Sequence, residues 1–129
     1  MSQLQTKTLG AAPDAYAPDG SEVRLLVGLK GGGFAHFTLP PEGVSAPVTH
    51  RTVEEIWYVV AGGGEVWRRL GRQENITPVM PGGALTSPLG THFQFRAGPE
   101  GLSFVAVTMP PWRNCARPIT PSMGLSMVV

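Results

Sequence analysis

Read for alternation of apolar and polar side chains, the chain breaks into short extended segments, each closed by glycine or proline. In Glu22–Leu29, Val23, Leu25 and Val27 share one face, and Leu26 is an apolar exception on the other. Gly31-Gly32-Gly33 permits a tight reversal into a strand over 34–39, which Pro40-Pro41-Glu42-Gly43 ends. A short extended piece over 44–49 leads into the run HRTVEEIWYVVAG, from His50 to Gly62, whose centre is β-branched and aromatic. Strands over 55–60 and 65–70 flank Gly62-Gly63-Gly64, a pattern that predicts a β-hairpin with a glycine loop. Residues 72–80, with Pro78, read as a looser polar connection; Ala84–Ser87, 92–97 and 102–109 follow as strands between turn signals.

Eight or so short strands predict an all-β fold, a small antiparallel β-barrel of jelly-roll type that pairs most of its edges. The barrel spans 21–110. Residues 1–20 form a polar, Ala/Pro-rich N-terminal arm that ends in the turn signal Pro18-Asp19-Gly20. Residues 111–129 form a C-terminal extension with Trp112 and an apolar end, Met123 to Val129, which avoids water by packing on the barrel or on a dimer partner.

Composition narrows the functions. At 129 residues the chain makes one domain, and 17 glycines and 13 prolines leave no room for a long amphipathic helix. Cys115 is the single cysteine, which excludes an intrachain disulfide and fits a cytoplasmic setting; the thiol reads as a passive side chain. A net charge of +1, spread along the chain, offers no field for nucleic acid. Arg68-Arg69 and Arg72 read as a solvated hairpin tip. No apolar run reaches membrane length, and Met1 to Gly10 lacks a hydrophobic signal core. Most soluble oligomers are twofold, so a homodimer is the expected assembly.

The candidate chemistry lies at the mouth of the aromatic strand, where His50 and Glu55 stand five apart. A second element answers it: Gly82, then Pro88-Leu89-Gly90, then Phe93-Gln94-Phe95-Arg96. Together they resemble the two motifs of the cupin superfamily, whose barrel, a double-stranded β-helix, gathers three histidines and a glutamate on a divalent transition metal. Against that pattern Glu55 and Gly62 keep the glutamate–glycine spacing, and His50 takes the second histidine position. Val48 stands at the first and Phe93 at the third, with His92 one residue early. Alternation aims His92 away from where Phe93 aims, unless a bulge near Gly90 re-registers it.

The resemblance thus implies a metal set of His50 and Glu55, joined by His36 if its strand turns that face inward and by His92 if it is re-registered. Three readings stand side by side. One is a metal-dependent oxygenase or isomerase of a small organic acid. Another is a metal-free, sugar-epimerase-like enzyme with His50 and Glu55 as its catalytic acid–base pair. The third is a binding module that holds a small molecule with no chemistry of its own, and the reading favoured among them is a small-molecule-binding barrel with an eroded metal site, whether or not it turns its ligand over. Glu55, Trp57 and Val59 share a face, so Val48, Trp57, Val59, Phe93 and Phe95 are the expected pocket lining. Glu54, Tyr58, Gln94 and Arg96 fall on the opposite face. The glycine runs are followed by no helix and cradle no phosphate.

Overall fold

Two long strands organise the chain. The computed structural model describes residues 4–17, 19–111 and the backbone of 116–118. Its elements are β1 (Ala15–Tyr16), β2 (Glu22–Leu29), β3 (Gly32–Leu39), β4 (Val48–His50), β5 (Glu54–Leu70), β6 (Gln73–Val79), β7 (Ala84–Ser87), β8 (His92–Met109) and β9 (Ala116–Pro118). Every pairing is antiparallel. The fold is all-β, and among the described residues no helix is long and apolar enough to cross a membrane.

β5 and β8 pair with each other almost end to end, from Glu54↔Met109 to Arg69↔His92. The first half of β5 also pairs β7, and the second half of β8 pairs β3 and through it β2. The second half of β5 pairs β6, while the first half of β8 pairs β4, which in turn pairs β9. Two sheets therefore face each other, and both long strands run through both of them.

The glycine run of β5 is where the structure departs from the expected hairpin. Gly62-Gly63-Gly64 does not reverse the chain; the strand continues through it, with register shifts at Val59/Ala61 and Gly62/Gly64. A Cβ on Gly62 would fall onto the carbonyl oxygen of Gly101, and one on Gly64 onto that of Arg96; φ is +72° and +155°. Glycine is required there because two strands bend together at a barrel corner, and bulges supply the bend. The segment over 98–101 likewise lies inside β8 rather than between strands. The supposed connection over 72–80 is the edge strand β6, where Pro78, opposite Glu65, needs no second ladder partner.

The core sits between the sheets. Phe37 stacks on Phe104 with centroids 5.2 Å apart, Trp57 stacks on Phe104 at 4.4 Å, and Phe95 meets both Trp57 and Phe104 edge-on. Burying side chains of this size stabilises the fold by roughly 1.5–3 kcal/mol each. Of the apolar trio expected on β2, only Val23 is fully buried. A bulge between Leu25 and Gly28 breaks the alternation, and Leu25 is left exposed.

The N-terminal arm is laid along β2. Asp14 Oδ2 accepts from Leu25 N–H at 2.7 Å and Gln5 Oε1 from Gly28 N–H at 3.1 Å, while Arg24 donates to the carbonyls of Gly10 and Ala11. These contacts occupy backbone donors that a bare edge strand would present. Trp112, Cys115 and the apolar end from Met123 lie outside the described residues.

Candidate functional site

His50 closes β4 and Glu55 follows within β5, one short loop later. Alternation turns His50 inward together with Val48, and Glu55 inward together with Trp57 and Val59. The two side chains meet inside the barrel, His50 Nε2 lying 3.2 Å from Glu55 Oε2, and they are 6% and 3% exposed. The other carboxylate oxygen, Oε1, accepts the indole N–H of Trp57 at 2.6 Å. The backbone carbonyl of His50 accepts from Gly90 N–H at 3.0 Å, which ties the second motif's turn to the first motif's histidine.

Glu55 does not stand alone among polar groups. Its cross-strand neighbours are Ser87 on β7 and Thr108 on β8, both buried. Among the described residues Thr108 Oγ1 and His50 Nδ1 find no hydrogen-bond partner. Asp19, also buried, accepts from Ser21 N–H at 2.8 Å and Ser21 O–H at 2.6 Å, and its backbone carbonyl holds Ala46 N–H. Burial pushes the Asp19 carboxyl above the usual aspartate range. The Ser21 hydrogen bonds pull it down, the charge of Glu55 adds to the rise and His50 opposes it. The charges of both His50 and Glu55 therefore reach Asp19, although the three side chains form no ligand cluster among the described residues.

The remaining histidines are placed elsewhere. His36 lies on the outer face of β3, since Ala35, Phe37 and Leu39 take the inner one. Its ring nitrogen Nδ1 is 3.4 Å from Thr38 Oγ1, and burial, with the charge of Arg24, lowers its proton affinity. His92 pairs Thr49 and Arg69 in unbroken register, so no bulge turns it inward. Burial and the charge of Arg69 lower its proton affinity too. Neither reaches His50 and Glu55. Inward at the corresponding place is Phe93, opposite Val48 and with its ring 5.6 Å from that of His50.

The residues present do not fit a resident transition metal. Among the described residues no three His, Cys, Asp or Glu side chains are grouped to hold one, and the positions facing His50 carry Val48 and Phe93. Two protein donors fall short even of the three that open catalytic sites use.

Val48, Trp57, Val59, Phe93 and Phe95 are all buried, and Trp57 touches Phe93 and Phe95 edge-on at 5.3 and 5.6 Å. Much of this surface is spent on ring-to-ring contact: the five side chains expected to line a pocket pack the barrel interior, and none of them lines the clefts at residues 28–34 or at residues 68–75. On the outer face Glu54 and Tyr58 are exposed and Arg96 pairs with Glu65. Gln94 differs from its expected outward, solvated position: it is buried, and its amide donates to the carbonyl of Ser45 at 2.8 Å.

Alternation and turn signals do not single out Asp19, Ser87 or Thr108. Pro18-Asp19-Gly20 reads as a turn, and the spacing Asp19, Ser21, Val23 is the one local sign that the carboxyl shares the inward face of Val23. Ser87 and Thr108 become neighbours of Glu55 only through strand register.

No protein-family model matches the chain, and no curated protein matches it in sequence. Solved structures do match. A deletion mutant of Bacillus subtilis oxalate decarboxylase superposes with a TM-score of 0.76 at 16% identity, over 95% of this chain and 34% of that one. A Klebsiella pneumoniae protein with a double-stranded β-helix domain gives 0.58 at 21% identity, over 70% of this chain and 76% of its own. KdgF from Halomonas sp. gives 0.60 at 19% identity, over 70% and 78%. The chain spans about a third of the oxalate decarboxylase it resembles. Its architecture is the double-stranded β-helix. This is the cupin fold, as the two sequence motifs imply.

Proposed function

We propose that the chain is a small-molecule-binding barrel of cupin type whose ligand is met by His50 and Glu55 without a resident transition metal. The observation that carries this reading is that Thr108 Oγ1, on the strand beside Glu55, and His50 Nδ1 are buried with no hydrogen-bond partner among the described residues. Buried polar groups are normally paired, and those that are not call for a partner. A small organic molecule with a carbonyl or carboxylate end suits them: it accepts from Thr108 and rests its apolar part against Phe93 and Trp57. The single cysteine supports a reducing, cytoplasmic setting.

Thermal unfolding of the purified protein with a panel of small carboxylic and keto acids, oxalate among them, tests the reading. A ligand of the folded state must raise Tm. At least one acid is expected to raise Tm of the wild type and to lose that effect in His50→Ala. A panel without effect on the wild type, or one whose effect survives in His50→Ala, removes the reading. Manganese, iron, nickel, copper and zinc are expected to leave Tm unchanged.

Asp19 also supports a second reading. A carboxyl whose proton affinity burial raises, within reach of an imidazole–carboxylate pair, suits metal-free acid–base turnover, as in an epimerase or lyase. That reading predicts product formation that chelators leave intact and His50→Ala abolishes.

A further inference from the structure

Arg68, which the sequence places in a solvated hairpin tip, is turned inward instead. Register sets it between Phe93 on β8 and Asn75 on β6, so cross-strand pairing gives it the face that Val66, Phe93 and Phe95 fill. There it lines a cleft of about 240 Å³ with Gln73, Asn75, Thr86 and Thr91. Neither His50 nor Glu55 lines it. Asn75 Oδ1 accepts from the Thr77 hydroxyl at 3.2 Å, which leaves the Asn75 NH2 group as a donor. Two further polar atoms of the lining, Arg68 Nε and Thr91 Oγ1, are buried with no hydrogen-bond partner among the described residues. Buried polar groups are normally paired, so two orphans on one cleft call for a guest.

We propose that this cleft holds a small oxyanion, a carboxylate or phosphate group, in the fork of Arg68. Charge sets the class. Arg24 is paired with Glu22 and Arg96 with Glu65, whereas Arg68 has no acidic partner among the described residues. No acidic side chain lines the cleft. The acids of the adjoining segments are engaged: Glu74 accepts from the Trp67 indole at 2.7 Å and Glu54 from Leu89 N–H at 3.3 Å. Burial pulls the proton affinity of Arg68 below the usual arginine range, as expected of a guanidinium drawn from water with no counter-charge beside it. Geometry sets the fork. Arg68 Nη1 donates to the Thr86 carbonyl at 2.8 Å, which leaves the edge made by Nε and Nη2, two parallel N–H groups that match two oxygens of a carboxylate or phosphate. Thr91 and Asn75 add neutral donors. The cleft is smaller than the roughly 300 Å³ at which pockets for drug-sized ligands begin, so the guest is small or is the anionic end of a larger molecule.

Nuclear magnetic resonance of the isotope-labelled full-length chain tests the proposal, with malonate and inorganic phosphate titrated separately at constant ionic strength. The Arg68 Nε–H signal and the Thr91 amide are expected to move and saturate with at least one anion; malonate alone marks a carboxylate site and phosphate alone a phosphate site. Arg68→Gln is expected to weaken that binding by more than about tenfold and Thr91→Val by about fivefold, both read at the amides of Leu89 and Gly90. Lys30→Gln, which removes one positive charge at the β2–β3 turn, is expected to bind as the wild type does. His50→Ala is also expected to bind, which separates this cleft from the site of the proposed function. Signals that follow sodium chloride as closely as they follow the two anions overturn the proposal, and so does saturation that survives both Arg68→Gln and Thr91→Val. Loss of binding in a folded His50→Ala assigns the anion to the His50–Glu55 site and equally overturns it.

Discussion

Trp57 and Glu55 stand two residues apart on one strand, and the indole N–H of the first donates to Oε1 of the second over 2.6 Å, with both side chains buried. The indole fixes one carboxylate oxygen, and the other is left to face His50. Trp57→Phe keeps most of the ring packing and deletes the donor. A buried, charge-assisted hydrogen bond lost in this way lowers stability by about 1.5–3 kcal/mol. Urea unfolding should show that drop in midpoint with the slope unchanged.

His50 and Glu55 should couple strongly. Removing one member leaves the other buried without its partner, a loss of about 3–5 kcal/mol for a buried pair. His50→Ala and Glu55→Ala are each expected to fall in that range, and the double variant to lose much less than their sum. A double-mutant cycle in urea measures the coupling. Strict additivity would mean that the 3.2 Å contact carries no energy.

Asp19 sets a pH dependence of definite sign. Its folded-state proton affinity is raised above that of the unfolded chain, so its contribution is fully present below the unfolded value of about 3.8 and is lost as pH rises through the folded one. Asp19→Asn keeps a neutral side chain able to accept from Ser21. The variant is expected to match the wild type in acid and to exceed it at neutral pH, as read by Tm across a pH series. A constant difference between the two would show that Asp19 titrates as it does when unfolded.

Gly62 and Gly64 have no room for a side chain, because the carbonyls of Gly101 and Arg96 occupy the space. Gly62→Ala or Gly64→Ala is expected to destabilise by more than about 4 kcal/mol, the range reserved for severe clashes. Gly71→Ala, at φ +59° with nothing within 4 Å, should lose only the left-handed penalty of about 1–2 kcal/mol. Soluble yield and urea midpoints of the three variants separate clash from backbone strain.

Much of the architecture is legible in local alternation. Glu22–Leu29 and Ala84–Ser87 have the bounds that pattern and punctuation predict, and the inward face shared by Glu55, Trp57 and Val59 follows from period two. Glycine is what misleads. A glycine run signals a turn and a tight strand crossing equally well, and only the partner carbonyls on β8 show that Gly62 to Gly64 is a crossing. The prediction that His92 points away from Phe93 rests on the same parity and agrees with the register at Thr49 and Arg69. Asp19 was hidden for a different reason. Its place beside Ala46, whose N–H donates to the Asp19 carbonyl, is a contact between segments distant in sequence with no periodic signature.

Because β5 and β8 each thread both sheets, the two halves of the barrel cannot hinge apart without tearing the longest ladder in the molecule. Under the proposed function a ligand therefore reaches His50 at the rim, beside the Pro88–Thr91 turn and the contact of Asp19 with Ala46.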